Sequence, residues 1–144
     1  MPTTTATLQL TNDIASYPTS LSVSMTLLKA AGSEGMDTLT SKRQIFKSTD
    51  QVDLLEYTAA AVGGVASTHN FIYISNESTV STEYITVTQG AAAGSSTEVI
   101  VEQIGRLYAG DWMFIPWSAA AAANDICIKP STANEIPIEY ILFS

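Results

Sequence analysis

The feature that most constrains this chain is hydrophobic alternation with a period of two. Leu21, Val23, Met25 and Leu27 alternate with Ser22, Ser24 and Thr26. That spacing puts the apolar side chains on one face of a strand, and it does not fit the 3.6-residue repeat of a helix. Short runs rich in aromatic and β-branched residues follow at Phe71–Ile74, Tyr84–Val87, Val99–Val101, Trp112–Ile115, Ile126–Ile128 and Ile136–Ile141. Such side chains suit a pleated, half-buried surface. Turn residues fall between the runs, at Asn76-Glu77-Ser78, Gln89-Gly90, Ala109-Gly110-Asp111, Asn124-Asp125 and Pro130-Ser131. Many short strands at about ten-residue spacing predict an all-β fold, a β-sandwich of jelly-roll-like form.

Length fits a single core. A chain of 144 residues with 46% apolar side chains fills one domain, expected over residues 20–144. Residues 1–19, Thr-rich with Pro2 and Pro18, are expected as an extended N-terminal arm with too few apolar residues to fold alone. Asp50 to Ala61 also admits a helix with Asp50 as N-cap, since Val52, Leu55 and Ala59 have helical spacing. The strand reading is preferred there because most of the chain reads as strand. The alanine patches at 91–93 and 119–123 are too short to sustain helices and are expected as loops. Gly32 to Gly35 reads as a loop, and Gly63-Gly64 as a tight turn or flexible joint.

Charge and residue counts then remove whole classes of function. Only 14% of residues are charged, while 16 serines and 18 threonines supply a surface of hydroxyls. Six basic against fourteen acidic residues leave a net charge of −8, with no cluster able to neutralise a phosphate backbone, so nucleic-acid binding is disfavoured. One cysteine, Cys127, excludes an internal disulfide, and one histidine, His69, excludes any site needing two imidazoles. The first residues have neither the basic nor the apolar region of a signal peptide, and no apolar run approaches the ~18 residues of a membrane helix. The expectation is a protein made in the cytoplasm, without a secretory signal and without a membrane partner.

Chemical constellations are weak. Cys127 lies between Ile126 and Ile128, where a small buried thiol is expected rather than a nucleophile. His69 precedes the Phe71 run as a turn residue, and no Gly-x-Ser-x-Gly elbow accompanies it. The pairs Asp50/Asp53, Asp53/Glu56, Glu98/Glu102 and Glu135/Glu139 read as solvated strand faces. Acidic residues never fall in a calcium-loop pattern. Catalysis, cofactor and metal are therefore not expected. The densest segment is Ile104 to Trp117, which holds both tryptophans. Trp112 and Phe114 share one strand face and Met113 and Ile115 the other, as in a central sandwich strand or a subunit contact. Trp112, Phe114, Trp117, Arg106 and Tyr108 are the candidate interface residues. Arg106 is the only Lys or Arg between Lys47 and Lys129, and it is expected to find a carboxylate, with Asp111 either its partner or a turn cap.

That segment, together with Phe71–Asn76 before it and Ile138–Phe143 at the end, resembles small all-β virion proteins of tailed bacteriophages, particularly marine and cyanobacterial ones. The elements carrying the likeness are Tyr73-Ile74-Ser75-Asn76, Glu83-Tyr84-Ile85-Thr86-Val87, Gly105-Arg106-Leu107, Gly110-Asp111-Trp112 and Ile138-Glu139-Tyr140. They span about half the chain, from residue 69 onward. The resemblance implies a non-enzymatic capsid decoration or cement protein on the capsid surface of the virion, with the major capsid protein as partner. It further implies a closed homo-oligomer, with a trimer matching three-fold positions. The other role it implies is a tail-fibre or baseplate module binding a host receptor or carbohydrate.

Overall fold

A computed structural model gives the fold and describes residues 3–12, 20–29, 32, 34–36, 38–56, 69–90, 102–119 and 124–144. Ten strands form: β1 (Thr4–Thr11), β2 (Ser20–Leu27), β3 (Leu39–Phe46), β4 (Val52–Leu55), β5 (Asn70–Asn76), β6 (Tyr84–Gln89), β7 (Glu102–Tyr108), β8 (Trp112–Trp117), β9 (Ile126–Pro130) and β10 (Ile136–Phe143). No helix is found among the described residues. Val52–Leu55 settles as strand β4, while residues 57–61 of the alternative helix lie outside the described residues, as do Gly63-Gly64, 91–100 and 120–123.

Eight strands build two four-stranded sheets. The first has the order β3-β10-β5-β8 and the second β4-β9-β6-β7, with every neighbouring pair antiparallel. Successive strands β3 and β4 thus belong to different sheets, as do β4 and β5, while β6 and β7 are neighbours. The chain forms an all-β sandwich, as the alternation predicts.

The core lies between the sheets. Ile72, Ile74, Ile136, Ile138, Leu142 and Trp117 of the first sheet meet Leu54, Ile85, Val87, Leu107, Ile126 and Ile128 of the second. Strand parity explains the selection, because each contributes every second residue to the interior, as the alternating burial of Ile136–Phe143 shows. Burying each such side chain stabilises the fold by about 1.5–3 kcal/mol.

One end of the sandwich is closed by a buried polar knot centred on Asn76. Its Nδ2 donates to the Leu107 carbonyl at 3.0 Å, and its Oδ1 accepts from the Ser78 amide at 3.1 Å. Its backbone takes part as well: the Gly110 amide donates to the Asn76 carbonyl at 2.8 Å, and the Asn76 amide donates to Asp111 at 3.0 Å. These bonds lock the β7–β8 turn, where the chain changes sheets and Gly110 takes a left-handed φ of 83° that suits glycine. The neighbouring Glu83 is buried and accepts from Ser78 Oγ at 2.5 Å and Asn134 Nδ2 at 3.1 Å.

The first two strands stand apart. Within residues 1–19, Thr4–Thr11 is extended, and it pairs with Ser20–Leu27 in eight consecutive register positions as a separate two-stranded ribbon. A division at residue 19/20 therefore falls between paired strands. Register puts Ala6, Leu8, Leu10, Leu21, Val23, Met25 and Leu27 on one ribbon face. The other face carries Thr5, Thr7, Gln9, Thr11, Ser20, Ser22, Ser24 and Thr26, with Thr7 and Ser24 hydroxyls 3.0 Å apart. An isolated two-stranded hairpin is marginal in water. This one is rooted where Leu27 and Met36 are buried with Phe71, and where Ala6 packs with Phe114 and Phe143.

Candidate functional site

Register places the outer face of the first sheet in aligned rows. Leu39, Phe143, Phe71 and Pro116 form one row from β3 to β8, Ser41, Ile141, Tyr73 and Phe114 the next, and Arg43, Glu139, Ser75 and Trp112 the third. Aromatic rings concentrate on the β5–β8 side. Phe71 and Phe114 stack with centroids 5.5 Å apart, Phe114 meets Phe143 edge-on at 6.1 Å, and Tyr73 tilts against Trp112 at 6.0 Å. The ribbon stands over this face and leaves a groove of about 460 Å³, lined by Ala6, Thr7, Leu8, Val23 and Met25 from above and Tyr73, Trp112 and Phe114 from below. The groove is almost wholly apolar. Trp112 is 52% exposed, and Leu8, Leu10, Leu21, Val23 and Met25 are 39 to 52% exposed.

β8 proves to be an edge strand rather than a central one. Its two-sided apolar character has a different cause: Met113, Ile115 and Trp117 face the core, and Phe114 packs beneath the ribbon root. Pro116, which has no amide to donate, is tolerated on such an edge.

The five candidate interface residues fall in three places. Trp112 and Phe114 share the outer face of the first sheet. Trp117 points the other way, is buried in the core, and donates its indole N–H to the Asn124 carbonyl at 2.6 Å, so it offers no surface to a partner. Arg106 and Tyr108 lie on β7, on the outer face of the second sheet, since the intervening Leu107 is the core residue. The Arg106 guanidinium lies 4.7 Å from the centroid of the Tyr84 ring, which in turn meets Tyr108 at 5.3 Å. Arg106 thus sits over an aromatic face rather than beside a carboxylate. Asp111 takes the capping role, accepting from the Tyr108 amide at 2.9 Å.

Reactive groups are placed quietly. Cys127 is fully buried on β9, with its thiol 3.1 Å from Asp53 Oδ1. Burial first, then the hydrogen bond and charge of Asp53, push its pKa up to about 12, so thiolate is absent at neutral pH. His69 belongs to the chain leading into β5 of the other sheet, and its ring tilts against that of Phe71 with centroids 5.1 Å apart. Glu135 pairs with Lys47 at 2.5 Å, and Glu139 lies opposite Arg43. Glu98 lies outside the described residues. Among the described residues no group of three His, Cys, Asp or Glu side chains is placed to hold a metal ion, and no helix is long and apolar enough to cross a membrane.

Strand β1, and its pairing with β2 into a ribbon, is what sequence reasoning missed. Its signal was present: Ala6, Leu8 and Leu10 alternate with Thr5, Thr7 and Gln9 in the same period as Leu21–Leu27. No family model matches the chain, and no curated protein or solved structure matches it.

Proposed function

We propose that the protein is a non-enzymatic structural protein of a phage virion, a capsid decoration protein that binds the outer surface of the major capsid protein lattice and stabilises the head. One observation carries this reading: a sandwich with a complete core of its own also bears a large apolar surface, the groove and the distal ribbon, that its own chain leaves half-exposed. A patch of that size on a single chain marks a contact with another protein. The buried, protonated Cys127 supports a role without covalent chemistry. The strand order β3-β10-β5-β8 against β4-β9-β6-β7 supports the jelly-roll form, since it is the order obtained when a long eight-stranded hairpin folds over into two sheets. A protein that binds the assembled shell and not free subunits stabilises the shell by simple linkage.

The test is co-sedimentation of the protein with shells lacking it, across a salt series. Saturable binding at a fixed ratio to the capsid protein is expected. Absence of binding at every salt concentration overturns the reading.

A second reading, a tail-fibre or baseplate module binding a host receptor or carbohydrate, draws on the half-exposed Trp112 beside Tyr73. It predicts that Trp112 emission changes on titration with host glycans. Unchanged emission across the set excludes Trp112 as a sugar platform.

A further inference from the structure

We infer that the ribbon is a self-association element, with the Leu10–Leu21 end of each copy seated in the groove above Tyr73, Trp112 and Phe114 of a second copy. The inference builds on the reading of the apolar surface as a protein contact. It names a copy of this chain as the occupant, and its test needs no shell, so the two readings fail separately.

Charge argues for the second copy. No charged residue occurs in residues 3–12 or 20–28 of the ribbon, in a chain of net charge −8. Two like-charged copies therefore meet across these strands with little repulsion and little charge desolvation, Asp13 lying beyond them in the connecting segment. Chemistry argues the same way. The groove is lined by aliphatic ribbon residues and aromatic rings, and the side chains that continue the stripe beyond it, Leu10 and Leu21, are of the kind such a space accepts. At about 460 Å³, it has about three times the volume of a cavity that takes up one benzene.

The ribbon edges add a further argument. β1 and β2 pair over eight positions without a bulge, and neither carries the charge or proline that commonly blunts an edge against another chain. By contrast, the β4–β9 and β6–β7 pairings are both interrupted by register shifts.

Area is sufficient. The exposed parts of the five ribbon side chains amount to about 400 Å², within the range of functional patches. With Trp112, and counted on both copies, a reciprocal exchange buries about 1,000 Å², the threshold for a specific interface. Because ribbon and groove are different surfaces, each copy both gives and receives, in the manner of an exchanged element.

Sedimentation of the full chain from low-micromolar to hundred-micromolar concentration tests this. Wild type is expected to pass from single chains to an assembly, with Trp112 emission shifting to the blue in step while buried Trp117 contributes no change. The double variant Leu10→Glu/Leu21→Glu alters exposed side chains and is expected to keep the sandwich melting transition while weakening association at least about tenfold. Trp112→Glu is expected to weaken it similarly from the groove side. Ile45→Glu, on the far edge strand of the same sheet, is expected to leave association unchanged. Wild type that stays a single chain throughout, including one that binds another protein but never itself, overturns the inference. So do tip variants that associate normally.

Discussion

The sandwich and the ribbon are built from the same kind of strand, yet they solve the problem of their apolar faces differently. Each strand of the sandwich turns its apolar residues toward the opposite sheet, and Ile72, Ile74, Ile85, Val87, Ile128 and Ile138 lose all contact with water. The ribbon has only one layer. Its root is covered by Phe71, Phe114 and Phe143, while Leu8, Leu10, Leu21 and Val23 stay half in solvent. Amphipathic strands alone thus do not guarantee burial; a second layer must be present. The ribbon borrows part of one from the sandwich and leaves the rest exposed.

That contrast can be broken experimentally at its strongest point first. Ile74→Ala in the sandwich core is expected to destabilise the fold by about 2–5 kcal/mol, from lost transfer energy and the cavity left behind. Leu10→Ala at the ribbon tip is expected to change monomer stability by less than about 0.5 kcal/mol. Equal losses by denaturant titration at low protein concentration would erase the distinction.

Asn76→Ala removes a side chain bonded to both Leu107 and Ser78 and takes the side-chain acceptor from the buried Ser78 amide. A loss of about 1–3 kcal/mol is expected. Hydrogen exchange should report it at the β7–β8 turn while ribbon protection is unaffected.

Cys127 gives a pH test confined to the sandwich. Its thiol holds its proton up to about pH 12 when folded, against about 9.0 when unfolded. The stabilisation is therefore complete below pH 9 and is lost as pH rises from 9 toward 12, by at most about 1.4 kcal/mol per pH unit. Tyr140, raised by burial, acts in the same direction, so Cys127→Ala should shallow the alkaline decline without abolishing it. An alkaline slope unchanged by Cys127→Ala would mean that the thiol is not desolvated.

The smallest effect is expected at Arg106→Ala, which removes an exposed cation–π contact with Tyr84 worth about 0.5–1 kcal/mol. Arg106→Lys should recover part of it. Thermal denaturation resolves the pair.

Much of the fold was legible residue by residue. The alternation at Leu21–Leu27 and Ile136–Ile141 marked strands, and Gly110 and Asp111 marked the turn that the structure builds around a left-handed glycine and a carboxylate cap. Parity also placed Trp112 with Phe114 on one face. Thr4–Thr11 was harder to read, because threonines outnumber apolar residues there and its partner strand lies beyond a stretch of eight residues.

The candidate surface was less legible, for a physical reason. Period-two alternation says which residues share a face of one strand, but not which sheet the strand joins. Leu107 and Met113 both point inward, from opposite sheets, so Arg106 and Trp112 face opposite sides of the molecule although six positions apart. Likewise, the pattern around β8 showed two apolar faces without saying that the strand lies at an edge or that a ribbon stands over it. Local sterics and side-chain polarity act between near neighbours and are written in the chain. Strand order, the covering of Phe114 and the groove beside Trp112 arise from contacts between residues far apart in sequence, and only the packing of the whole molecule decided them.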